Sequence, residues 1–527
     1  MRHLTGTRTL VRLAVRLDRV RLSVWVLALA LLPIGTAAQY RKLYPDDDAI
    51  RQVAGVVTNP SLEAVNGPLF SPTLGGLTAW KILATELILV ALMSLLTVLR
   101  HTRADEEAGR LELVRAGAVG RHAPLTAALV TAALAGVAAG VLVALALAAA
   151  GLPAGGAVTM GSAVTVTGLV FAAIAAGAAQ LTSGARTATA IAAAVLGASY
   201  LLRAAGDTGT PALTWASPIG WGLQSRPFAG DRWAPLVLGA GAAVVLGASA
   251  YLLAARRDLG AGLLPQRPGP ATAAPGLRSP LALAWRLHRG ILAGWIVGMV
   301  FWGATLGGAA TGLGDLSGLS DQVTELLTRM GGTGAIVDAY LAAVFGITGL
   351  VAAAYTVQAT LRLRAEESAD RLEPLLATGV TRTRWMLSHL VFALAGTAVL
   401  LAVAGASAGL VHGLQMHDVG GQLPRLTAAA AVQLPAAWIL AGVGAVLFGL
   451  APRLASATWA ALVACLVLLE VGALFEVSRW LVDVSPFAHV PKLPGAAFAG
   501  PPLGWLTAVG LALVGAGLMA FRRRDAG

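Results

Sequence analysis

Lysine and cysteine are nearly absent from this chain, and each absence narrows what it can do. The single cysteine, Cys465, lies inside an apolar run and excludes an intrachain disulfide or a cysteine-rich metal site. Only three lysines occur, Lys42, Lys81 and Lys492, and none follows a glycine-rich turn. There is thus no GxxxxGK(S/T) phosphate loop, and the chain is not expected to hydrolyse ATP. HExxH, GxSxG and Cys/His clusters are missing too, so no catalytic residue and no metal set is nominated. His412 and His417, five apart in an outer connection, read as solvated loop residues. Charge is also scarce: 12% of 527 residues against 57% hydrophobic, with a mean hydropathy of +0.75. No water-soluble core hides that much apolar surface, so the chain belongs in a bilayer. A net charge of +12 would suit nucleic acid, but no basic stripe with interleaved aromatics is present. The arginines flank apolar runs instead, which is a topology signal and points to no nucleic-acid partner.

What is present is duplication. RADEEAGRLE, Arg103 to Glu112, returns 261 residues later as RAEESADRLE, Arg364 to Glu373. Arg16, Arg19 and Trp25 match Arg286, Arg289 and Trp295; Ser217-Pro218 matches Ser485-Pro486; Arg256-Arg257-Asp258 matches Arg523-Arg524-Asp525. Offsets between 261 and 270 require only small insertions in outer loops. A Pro-rich stretch at 263–280 joins a first unit, 1–262, to a second, 281–527.

Crossing the hydrocarbon core takes roughly 20 apolar residues in a helix. Twelve runs approach that length, near 22–39, 79–99, 123–150, 158–181, 187–205, 234–255, 291–310, 338–361, 385–412, 426–450, 455–475 and 503–521. An amphipathic lead-in helix is expected over 2–21. With both termini in the cytoplasm, the inner segments hold 27 of the 38 Lys and Arg, which sets the orientation. Six spans per unit make the repeats parallel, related by an axis along the membrane normal. The fold class is therefore an all-α polytopic membrane protein of 12 helices in two tandem six-helix repeats. The Ala- and Arg-rich composition suits a GC-rich bacterium, and the expected location is its inner (cytoplasmic) membrane. The outer stretches 40–78 and 311–337 carry amphipathic pieces (Ile50 to Val57, Val323 to Met330). Those at 206–233 and 476–502 are rich in Trp, Pro, Phe and Gly, suiting short helices at the outer interface beside Trp215, Trp221, Trp233 and Trp480.

The repeated motif predicts a charged cytoplasmic helix of roughly 15 residues in each unit, near 102–117 and 363–379. Glu106–Arg110 and Glu367–Arg371 are i, i+4 pairs in the favourable order, and Arg103–Glu106 and Arg364–Glu367 are i, i+3 pairs. Gly117 and Gly379 are candidates for the terminating turn. A positive-inside loop needs arginines only. Glutamates retained in both copies call for a partner or a fixed fold.

Here the sequence resembles the coupling-helix segment of ABC-2 type exporter permeases, with a pattern near acid-acid-x-x-Gly-x-Leu-Glu. Glu106, Glu107, Gly109, Leu111 and Glu112 match it, as do Glu366, Glu367, Leu372 and Glu373; Asp370 stands for the Gly, and Pro374 for the following Leu, which is Leu113 in the first copy. The lead-in helix, six spans and structured outer segment resemble one family subunit, and the fused form is most similar to actinobacterial antibiotic and multidrug exporter permeases of the tetronasin-resistance kind. The resemblance implies a type V-like exporter architecture in which Arg103, Glu106, Glu107, Arg110, Leu111, Glu112, Arg364, Glu366, Glu367, Arg371, Leu372 and Glu373 couple to two copies of a cytoplasmic ABC ATPase. That partner would carry the ATP and Mg, leaving this chain without a cofactor. The cargo would be a small hydrophobic or amphipathic compound, an antibiotic, drug or membrane lipid. Spans 2 and 5 of each half would line its path, nominating Trp80, Glu86, Met93, Tyr200, Tyr340, Tyr355 and Gln358.

Glu86 and Glu470, acids inside apolar runs, are also where a coupled ion would bind. That keeps open a second class, the proton-coupled secondary drug transporter, since twelve spans in parallel halves also describe the major facilitators. Their Gly-x-x-x-Asp-Arg loop after span 2 fits His101-Thr102-Arg103-Ala104-Asp105 poorly.

Overall fold

The computed structural model describes residues 2–57, 60–258, 260–264, 271–272, 274, 276–314, 332–474 and 479–524. The chain divides into two compact units, Met1–Gly269 and Pro270–Gly527. Among the described residues every regular element is helical, and eleven runs are long and apolar enough to cross a membrane.

Unit 1 contains α1 (Thr7–Leu43), α2 (Leu74–Leu99), α3 (Ala123–Ala149), α4 (Ala154–Leu181), α5 (Ala185–Thr208) and α6 (Ala234–Ala255). Unit 2 contains α7 (Pro280–Gly314), α8 (Gly332–Thr360), α9 (Arg382–Gln415), α10 (Leu434–Leu450, entered through Val419–Ala431), α11 (Thr458–Leu474) and α12 (Gly500–Arg523). Two sequence expectations change. The lead-in helix and the first span are one helix, the 37-residue α1, about 56 Å long at 1.5 Å per residue. Where the sequence places a span over 455–475, a 3₁₀ turn at Pro452–Ala457 leads into α11, which starts at Thr458. The side chain of Glu470 and the stretch Val323 to Met330 lie outside the described residues.

In unit 1, α2 and α4 are the most buried helices and α6 the least. Because the spans are built from small residues, backbones approach closely. A Cβ on Gly140 of α3 would collide with the Gly161 carbonyl of α4; on α7, Gly303 and Gly307 meet the Ala404 and Ala408 carbonyls of α9 in the same way. This is the small-x-x-x-small packing of membrane helices, where van der Waals contact replaces the hydrophobic effect.

The outer segments fold into short helices as expected: Asp47–Val57, Pro60–Asn66, Pro211–Trp215 and Pro218–Leu223 in unit 1, Arg479–Val482 and Pro486–His489 in unit 2. Buried Arg203 organises the unit 1 set. It pairs with Asp207 at 3.3 Å and donates to the Val65 carbonyl at 2.9 Å, while Asp207 accepts from Thr214 at 2.9 Å. Trp215, Trp233 and Trp480 stay exposed, as rings in an interfacial belt do.

Candidate functional site

The repeated motif does not form one long helix in either unit. After α2 the chain runs through a π-helical turn, Arg100–Ala104, into Asp105–Glu107 and then breaks. Gly109, at φ 71°, reverses it into a second short helix, Arg110–Arg115. In unit 2 the pieces are Arg362–Glu367 and Leu372–Leu376, and the break falls on Asp370 at φ 53°. Aspartate is one of the few non-glycine residues that tolerate the left-handed region. The departure of Asp370 from the Gly pattern thus preserves the backbone shape. The expected terminating glycine is realised at Gly379, at φ 80°, whereas Gly117 keeps an ordinary φ and donates to the Val114 carbonyl.

The break redirects the ion pairs. Arg103–Glu106 forms at 2.8 Å and Arg364–Glu367 at 3.1 Å, as the i, i+3 spacing predicts. The i, i+4 pairs do not form, since a left-handed residue lies between the partners. Arg110 turns instead to Asp105 at 3.3 Å, and Arg371 to Glu366 at 3.5 Å. Glu106 takes its second partner from after the sixth helix: Arg257 grips it with two prongs, at 2.7 and 2.8 Å, and the Gly260 N–H donates at 2.7 Å. Arg103 closes the knot on the Ala261 carbonyl at 3.0 Å. In unit 2, Glu367 pairs with Arg524, which also donates to the Phe448 carbonyl at 2.6 Å and lies over the Phe448 and Phe521 rings. Arg257 and Arg524 are repeat counterparts. Three ion pairs are therefore duplicated, and the retained glutamates have an internal partner.

The segment is also tied to α1. Asp18, buried, accepts from Arg100 at 3.1 Å and pairs with His101 at 2.8 Å. The matching position in unit 2 is His288, which meets His389 at 3.0 Å.

Residues 277–522 match the family model described as the C-terminal domain of the multidrug efflux system permease Rv1217c. Over 524 residues, 99% of this chain and 95% of the other, the sequence is 47% identical to the multidrug efflux system permease protein Rv1217c of Mycobacterium tuberculosis. The chain belongs to the Rv1217c family of efflux permeases. That membership agrees with the ABC-2 exporter resemblance and does not favour the secondary-transporter alternative.

Within this permease the motif residues divide into two sets. Arg103, Glu106, Leu111, Glu366 and Leu372 are buried, and Arg364 and Glu367 half-buried, so they fix the shape of the segment. Glu107, Arg110, Glu112, Arg371 and Glu373 are exposed, beside Leu113 at 79% exposure and the exposed Pro374. Arg257 and Arg524 are the site residues that sequence reasoning missed. The duplicated Arg-Arg-Asp was visible, but contact between residues about 150 apart is not.

The nominated path residues of the permease are divided between the two units. Trp80, Glu86 and Met93 are buried among the unit 1 helices, and Tyr355 is buried in unit 2, donating to the Phe392 carbonyl at 2.9 Å. Tyr200, half-buried, donates to the Val65 carbonyl at 3.2 Å beside Arg203. Tyr340 packs half-buried against the Leu341 and Phe345 cluster, and exposed Gln358 accepts from Trp295 at 2.8 Å. Two of the nominated residues carry buried polar atoms without a hydrogen-bond partner among the described residues: both carboxyl oxygens of Glu86 and the indole N–H of Trp80.

Proposed function

We propose that this permease is the membrane subunit of an ATP-driven exporter moving hydrophobic or amphipathic drugs, or lipid, out of the cytoplasm or inner leaflet of the bacterial inner membrane, with both termini cytoplasmic. Each short segment docks one ABC ATPase subunit, so a single chain recruits two, and ATP and Mg are held by that partner. The observation that carries this reading is the duplicated knot of Arg103, Glu106 and Arg257 and of Arg364, Glu367 and Arg524. It holds a short charged element rigid just past the second helix of each unit and leaves one edge of each exposed. An apolar path suits an amphipathic cargo, and Trp80 and Glu86 bring to it polar atoms that have no hydrogen-bond partner among the described residues.

The test uses exposed positions, because reversing Glu106 or Glu367 would break the knot itself. Glu112→Arg with Glu373→Arg releases the ATPase during detergent purification and abolishes ATP-dependent efflux, while the permease stays folded. Copurification and export at wild-type levels would sink the docking assignment. The same purification shows whether the captured ATPase carries a Walker A loop and no membrane helix, as the reading requires.

A further inference from the structure

The two segments, alike in their ion pairs, differ in how they reach the fifth helix of their unit. Exposed Glu107 accepts, through Oε2, the N–H of Ala185 at 2.8 Å, and Ala185 is the first residue of α5. A carboxylate there both caps an unsatisfied N–H and meets the positive end of the helix dipole. In unit 2 both halves of this bond are replaced. Ser368 occupies the place of Glu107, and its hydroxyl donates to the Arg364 carbonyl of its own turn at 2.7 Å. Pro452 precedes Arg453 as Ala185 precedes Arg186, and proline has no N–H to give. The helices start accordingly: α5 is α-helical from Ala185, whereas α11 begins only at Thr458, after the six-residue 3₁₀ turn.

We infer that Glu107 is a positioning residue that passes displacement of the first cytoplasmic segment directly to α5, and that the second half works without this link. The inference rests on the reading of the segments as ATPase docking elements. Once the knot makes the segment rigid, a push on its exposed edge acts on whatever it is bonded to. In unit 1 those targets are α1 through Asp18, the turn after α6 through Arg257 and Gly260, and the first turn of α5 through Glu107. In unit 2, Glu367 is bonded to Arg524 at the end of α12 and, through Arg524, to the end of α10 and to Arg382 at the start of α9. The donor and acceptor of the α5 link have changed together, and a bond without consequence gives no reason for that. The chain therefore converts two similar inputs into unequal motions of its halves.

The test compares Glu107→Ala, Glu107→Gln and Ser368→Ala in the full permease with its ATPase, reconstituted in lipid vesicles, reading cargo moved and ATP hydrolysed. Glu107→Ala should keep the ATPase bound and hydrolysing but lower cargo moved per ATP by about threefold or more, the effect of losing one charge-assisted hydrogen bond. Glu107→Gln, which keeps an oxygen to accept the Ala185 N–H, should stay near wild type, and Ser368→Ala should change nothing. Wild-type stoichiometry in Glu107→Ala, or an equal loss in Ser368→Ala, overturns the inference. If Glu107→Ala releases the ATPase, Glu107 is a docking contact, and the inference fails while the docking reading survives. If the wild-type chain binds no ATPase, the docking reading itself has failed.

Discussion

Glu106 and Arg257, 151 residues apart, close a two-pronged ion pair at 2.7 and 2.8 Å, and their repeat counterparts Glu367 and Arg524 are paired in the second unit. The bond ties the end of the second helix to that of the sixth, which bounds each unit. Breaking the pair leaves Arg103 and Arg257 short of a shared carboxylate in a largely buried site. Glu106→Gln should therefore cost about 2–4 kcal/mol of stability. Glu106→Arg with Arg257→Glu should recover part of the loss of either single reversal, read as thermal unfolding of the purified permease in detergent. Equal stability in Glu106→Gln would show the pair to be ornamental.

The left-handed break gives an asymmetric prediction. Gly109→Ala places a Cβ on a positive-φ residue and should destabilise by about 1 kcal/mol, whereas Asp370→Gly relieves the backbone at the cost of unfolded-state entropy and should stay within about 0.5 kcal/mol of wild type. Matching losses at the two sites would contradict the common backbone described for the segments.

Glu86 sits in the middle of α2, fully buried, and its repeat position in the second unit is the apolar Ile347. The span architecture thus does not require a carboxyl at this place. Glu86→Leu should preserve or raise stability by about 1–2 kcal/mol, as expected when an unsatisfied buried polar group is removed. If Glu86 meets cargo, the same variant should lose drug-stimulated ATP hydrolysis. Reduced thermal stability would show instead that the carboxyl has a structural partner.

Close approach of α7 to α9 depends on the lack of side chains at Gly303 and Gly307. Gly303→Val drives a branched side chain onto the Ala404 carbonyl, and overpacking of this kind costs about 1–3 kcal/mol or more. The expected outcome is a sharp fall in folded, monodisperse protein on size-exclusion chromatography. Gly290, with open space around its Cβ position, should accept alanine without loss and serves as the control.

Much was legible in the sequence because the relevant physics is local or periodic. Apolar runs of membrane length report spans regardless of neighbours, and a ten-residue motif returning at a constant offset reports duplication. The start of α11 was not legible, since apolar composition continues upstream while Pro452 opens a 3₁₀ turn. Nor was the break at Asp370, because an acid inside a charged stretch reads as helix surface unless its φ is known. Family resemblance supplied the coupling assignment but could not say which of the twelve motif residues face outward.

What the sequence determined alone is that this is a two-fold repeated membrane protein with a conspicuous charged segment after the second span of each half. The tertiary structure decided what those charges are for. Burial and long-range pairing assign Glu106 and Glu367 to the interior knot, and Glu112 and Glu373 to the exposed edge. Glu107 goes to α5, a bond that Ser368 and Pro452 do not repeat. Sequence spacing cannot make that division, because Coulomb and hydrogen-bond energies follow distance in space, and the chain returns to this place only after four further helices.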